Sequence, residues 1–117
     1  MDNELLQNIN SLLGNDIYDM IKRPNCKLFF QSNAEAKRGD KTKKACIVYI
    51  IYDSILICRP RKVGKKFYIK FKLPVDSVQV QQESKDNSTI ITNPYEKDGS
   101  YSIWYGYILL LILHQSV

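Results

Sequence analysis

The chain carries a single histidine, His114, and three cysteines, Cys26, Cys46 and Cys58, with no C-x-x-C pair among them. A metal centre built on nitrogen and sulfur needs several such side chains at compatible spacing, so none is expected. An odd number of thiols, two of them inside apolar runs, reads as buried and reduced, which fits a cytosolic compartment. Equally missing are a G-x-S-x-G turn, a glycine-rich phosphate loop opening a helix, a cysteine beside an evident base, and paired acids at strand ends. Neither catalysis nor a cofactor is therefore expected. Asp53 is a carboxylate with a simpler role as a turn residue. The apolar run 108–113 has six residues, against the roughly 20 that span a bilayer. The opening MDNELLQ is acidic and has no apolar core of signal-peptide length, so no secretory leader is expected either.

Acidic residues are scarce in one half only. Residues 22–72 hold fifteen lysines and arginines against three acids, Glu35, Asp40 and Asp53, whereas the remainder holds two cations, Lys85 and Lys97, against nine acids. A net charge of +5 conceals this division. It points to an anionic partner for one side, whether membrane surface, nucleic acid or acidic protein, with a merely solvated lysine-rich surface as the plain alternative. The hydrophobic fraction of 44% and charged fraction of 25% are those of an ordinary globular protein, and 117 residues make one domain.

Residues 46–73, CIVYIIYDSILICRPRKVGKKFYIKFKL, organise the chain. Phe67, Ile69 and Phe71 alternate with Tyr68, Lys70 and Lys72, which predicts a strand with one buried face. Residues 46–51 and 55–58 are apolar on both faces and rich in β-branched residues, with Tyr52-Asp53-Ser54 as a tight turn between them. Residues 59–66 contain a proline, a glycine and five cations, and read as a charged loop. The three strands form a β-meander.

Upstream, Leu5, Leu6, Ile9, Leu12 and Leu13 recur at helical spacing before Gly14, predicting a short helix whose stripe needs a partner. Residues 16–23 read as a connector and 27–31 as the first strand. Residues 32–44, SNAEAKRGDKTKK, lack apolar periodicity and read as a long exposed hairpin loop. Downstream, 75–80 alternate loosely, 81–87 read as a loop, 89–92 as a strand, and 101–105 with 107–113 as a last hairpin around Gly106.

The run VYIIYDSILIC, the basic loop after it, KFYIKFK and LPVDSVQV together resemble the pleckstrin-homology (PH) domain that stands beside the catalytic domain of Dbl-family Rho exchange factors. Asp53 takes the turn position of that pattern, and Leu73-Pro74-Val75 its Ile-Pro-Leu step. The resemblance covers roughly residues 5–80 and implies a mainly β, seven-stranded antiparallel sandwich or partly open barrel with a short N-terminal helix. Residues 1–22 would then match the end of the catalytic domain's last helix and a connector, and 23–117 the PH-like domain. A PH domain normally ends in a capping helix that carries a tryptophan; residues 114–117 supply none, and Trp104 lies in a strand pattern. A missing or truncated capping helix is therefore expected.

In a meander alternate connections lie at the same end, so the loops at 32–44 and 60–66 should share one mouth. Lys37, Arg38, Lys41, Lys43 and Lys44 would there join Arg61, Lys62, Lys65 and Lys66 in a positive rim suited to phosphates. In the PH family this mouth takes phosphoinositide head groups. Strong binders in that family carry an arginine on the second strand where this chain has Cys46, so weak, charge-driven binding is implied. The expected function is a non-catalytic, cytoplasmic, peripheral membrane module of a Rho-type exchange factor. The alternative is a protein-binding PH domain that contacts a small GTPase or its own catalytic neighbour. Nucleic-acid binding, through Tyr68, Lys70 and Lys72, ranks below both because an aromatic-rich RNA-binding strand motif is lacking.

Overall fold

Strands that are apolar on both faces need cover twice, and this requirement sets the architecture. In β2 (Lys44–Ile51) and β3 (Ser54–Pro60), Cys46, Val48, Ile50, Ile55 and Ile57 face one way. They pack with Phe30, Ala34, Leu73, Ile91, Tyr101 and Ile103 in the main core. Tyr49, Ile51, Leu56 and Cys58 face the other way and are covered by Ile9, Leu13, Ile17 and Met20. The structure, a computed structural model, describes residues 2–24, 26–64 and 66–104. The expected strand at 107–113 and the chain end lie outside the described residues.

Helix α1 (Asp2–Leu13) thus finds the partner that its stripe requires, on the outer face of the sheet. It stops where Gly14 adopts a positive φ of 67°, the left-handed conformation that ends many helices. The stretch expected as a connector instead contains a 3₁₀ turn (Gly14–Ile17) and the short helix α2 (Tyr18–Ile21). Its Ile17 and Met20 are buried against β2 and β3, which explains why apolar residues interrupt an otherwise polar segment.

Seven strands form one antiparallel sheet in the order β4-β3-β2-β1-β7-β6-β5. The remaining strands are β1 (Leu28–Arg38), β4 (Phe67–Pro74), β5 (Gln79–Glu83), β6 (Ser88–Thr92) and β7 (Ser100–Trp104). β1 pairs with β2 along most of its length and with β7 from Glu35 to Arg38, so it belongs to both halves of the sheet. Folding the halves together about β1 buries the inner faces, while β4 and β5 are the edge strands among the described residues. The result is a PH-like, partly open sandwich.

Three further expectations change. β1 runs on to Arg38, so the loop expected at 32–44 shrinks to 39–43, closed by the Lys41 N–H donating to the Arg38 carbonyl at 3.0 Å. Its inward positions there are Ala34 and Ala36, weak strand signals among polar neighbours. Residues 79–83, expected partly as a loop, form the edge strand β5, whose exposed glutamines disguise it.

The third change concerns β4. Phe67, Ile69 and Phe71 do not share a face: Ile57 pairs with Phe71 but Cys58 with Ile69, which leaves Lys70 as a bulge residue. One extra residue reverses the side on which the strand presents its side chains. Phe71 consequently packs into the main core with its ring 4.7 Å from that of Tyr101, while Phe67 and Ile69 pack with the outer cluster beneath the helices. All three are half-buried.

Candidate anion-binding site

Inward alternation continues beyond the last apolar residue of three neighbouring strands, and at each strand end it reaches a cation. Along β1 the inward positions run Ala34, Ala36, Arg38; along β2, read backwards, Val48, Cys46, Lys44; along β3, Ile55, Ile57, Arg59. With Lys41 and Thr42 from the β1–β2 turn and Lys70 from the bulge, these cations line a cleft of about 340 Å³ with Ala36 and Phe71 also in its wall. Antiparallel pairing puts the β1–β2 turn and the β3–β4 loop at one end. The β6–β7 turn joins them there, because the Gly39 N–H donates to the Ser100 carbonyl at 2.9 Å.

Arg38 is the best-held side chain of the site. Its Nε donates to the Asp98 carbonyl at 3.1 Å, and one terminal nitrogen donates to Glu96 at 3.0 Å and to the Lys97 carbonyl at 3.1 Å. Its guanidinium lies over the rings of Phe71 and Tyr101. The Tyr101 hydroxyl donates to the other Glu96 oxygen at 2.8 Å, and burial with that hydrogen bond pushes its pKa up to about 12. Arg38 therefore braces the β6–β7 turn.

Arg59 is held differently. Its Nε is buried and has no hydrogen-bond partner among the described residues. Burial pushes the Cys46 thiol up to about 11, and the Arg59 charge opposes that rise. A guanidinium thus stands near Cys46 after all, supplied by the neighbouring strand. Among the described residues no group of His, Cys, Asp or Glu is placed to hold a metal ion.

Of the residues expected at the rim, Lys37, Arg38, Lys41 and Lys44 line the cleft. Lys37 also reaches outward, its ammonium 5.8 Å from the Trp104 ring centre, and Lys43 lies 4.5 Å from the same ring. The Lys66 ammonium donates to the Ser11 carbonyl of α1. Arg61 lies over Tyr68, and its N–H closes the loop by donating to the Lys66 carbonyl at 2.9 Å. Lys62 is exposed on the loop, and Lys65 lies outside the described residues. A single rim of nine cations is thus replaced by a cleft with outlying charges, because strand pairing gathers cations at the strand ends while Lys43, Arg61, Lys62 and Lys66 sit on the connections and reach other partners or solvent. Arg59 and Lys70 were missed. Arg59 is found by counting two residues on from Ile57, but Lys70 needs the bulge.

No protein-family model matches the sequence, nor does any curated protein sequence. Solved structures do match in fold. The activated truncation of Vav1 superimposes over 98% of this chain with a TM-score of 0.72 at 13% identity. The DH/PH domains of PDZ-RhoGEF, in complex with GTPγS-activated RhoA, give 0.75 at 11% identity over 98%. An N-terminally truncated linker-DH/PH structure of p115-RhoGEF gives 0.64 at 9% identity over 95%. This chain spans 31%, 39% and 35% of those three structures, respectively. Its fold is that of the pleckstrin-homology domain as found in DH/PH structures of Dbl-family Rho exchange factors.

Proposed function

We propose that the chain is the non-catalytic PH module of a Rho-type exchange factor, and that it positions or regulates that factor by binding anionic membrane lipid of the phosphoinositide type at the cytoplasmic face. The observation that carries this reading is the cleft at the open end of the sandwich, where Arg38, Lys41, Lys44, Arg59 and Lys70 gather from four strands and a turn. Cations placed around one concavity suit the several oxygens of a phosphorylated head group. With Arg38 committed to the β6–β7 turn, Lys41, Lys44, Arg59 and Lys70 are the ligands, and Lys37, Lys43 and Lys62 add general attraction. Several cations at about 1 kcal/mol each near an anionic surface localise a protein with no one of them indispensable.

Vesicle co-sedimentation tests this directly. Reversing Lys41, Lys44 and Lys70 together to Glu should abolish binding to phosphatidylserine and phosphoinositide vesicles, and added salt should weaken wild-type binding steeply because exposed charges are screened over roughly 8–10 Å. Reversing Lys85 and Lys97 should leave most of the binding. Wild-type protein that ignores anionic vesicles at low salt would refute the reading. The matched PDZ-RhoGEF structure is a complex with activated RhoA. That observation favours, as the second reading, a protein-binding module that contacts a small GTPase or an adjacent catalytic domain.

A further inference from the structure

We infer that the same end of the domain inserts two apolar side chains, Val63 and Tyr95, into the lipid surface, so that the membrane is held by burial as well as by charge. The inference rests on the lipid-binding reading above and adds the mode of attachment. Val63 is 85% exposed at the tip of the β3–β4 loop, and Tyr95 is 82% exposed at the tip of the β6–β7 turn. No other large apolar side chain among the described residues is as exposed; Phe29 follows at 55%. Two of the remainder are partly covered by cations, Tyr18 by Lys22 and Tyr52 by Arg23.

The two tips are presented by braced turns. Around Tyr95, the Asn93 N–H donates to the Gly99 carbonyl at 2.8 Å, the Tyr95 N–H donates to Asn93 Oδ1 at 3.2 Å, and Arg38 ties down Glu96, Lys97 and Asp98 from β1. Gly99 is required in this turn, since a Cβ there would come within 2.8 Å of the Asn93 carbonyl oxygen and 2.9 Å of that of Glu96. None of these contacts uses the Tyr95 ring. In the β3–β4 loop the Arg61 N–H bonds across to Lys66, and Gly64 takes a φ of 79° beside Val63.

The choice of occupant follows from the surroundings. Val63 is flanked by Arg61 and Lys62, and the cationic cleft lies between the β3–β4 and β1–β2 connections. Val63 beside cations, and Tyr95 on a turn whose Glu96 is paired with Arg38, suit a surface with anionic head groups above an apolar layer. Two tips and a cleft also fix the orientation, with the open end down and α1 alongside.

The test compares neutral substitutions on vesicles of equimolar phosphatidylcholine and phosphatidylserine. Val63→Ser and Tyr95→Ser alter only exposed side chains, so folding should be unaffected. Each should weaken binding about five- to tenfold, and by the same factor at low and high salt, since burial is not screened. Val63→Leu should bind more tightly. A Val63→Trp variant should show extra fluorescence, absent from wild type, that brominated acyl chains quench. If the serine variants bind like wild type while reversal of Lys41, Lys44 and Lys70 abolishes binding, insertion is wrong and the electrostatic reading stands. If wild type does not bind at all, both fail.

Discussion

Arg59 offers a test in which stability and function should move in opposite directions. Its Nε is buried without a partner among the described residues, and leaving a buried donor unsatisfied costs roughly 1–3 kcal/mol of folding free energy. Arg59→Met keeps most of the apolar stem and removes the donor and the charge. Chemical denaturation should therefore give a variant as stable as wild type, or more stable by about 1 kcal/mol, corresponding to a rise of about 4 °C in Tm. Vesicle binding should fall about fivefold, from the loss of about 1 kcal/mol of attraction at the cleft. Lys43→Met, beside Trp104 and outside the cleft lining, should leave stability alone and cost less binding. An Arg59→Met protein that is destabilised by more than about 1 kcal/mol and binds vesicles normally would show that the guanidinium serves the fold and not the site.

The bulge in β4 predicts that Phe71→Ala, costing about 2–3 kcal/mol at a half-buried position, couples to Tyr101→Leu by roughly 0.5–1.5 kcal/mol in a double-mutant cycle, whereas Ile69→Ala with Tyr101→Leu should simply add. Coupling at Ile69 in place of Phe71 would mean that the bulge is misplaced. Cys46 faces the main core and Cys58 the outer cluster, so the two cannot bridge even though their strands are neighbours. Thiol titration of the unfolded, non-reduced protein should find three free thiols, and a Cys46–Cys58 bridge found by peptide mapping would contradict the assignment of faces. Because the Tyr101 pKa is raised in the folded state to about 12, its contribution to stability is fully present below the ordinary tyrosine value of about 10 and is lost as pH climbs toward 12. Urea midpoints measured across that range should fall less for Tyr101→Phe than for wild type; equal slopes would exclude Tyr101 as a contributor.

Composition and periodicity determined much of this protein by themselves. Apolar runs with two hydrophobic faces at 46–51 and 55–58 demand cover on both sides, and the leucine and isoleucine stripe ahead of Gly14 is what supplies it. The meander, its turn at Asp53 and the cationic character of one end follow from the same local rules, since side-chain chemistry and turn residues act over a few positions.

What the tertiary structure alone decided is which charges meet. Whether a strand continues through Ala34 and Ala36 depends on β7 pairing with its far end, and no residue within 32–38 announces that partner. A single bulge turns Phe71 inward and brings Lys70 to the cleft, a reversal invisible to any count of alternate residues. Lys66 is drawn to α1, and Arg38 is spent on the β6–β7 turn, by contacts 55 and 58 residues away in sequence. A basic run specifies how much charge an end of the sandwich carries; strand pairing and the alternation of faces select the side chains that share a cavity, because neighbours along a strand point apart while residues on neighbouring strands point together.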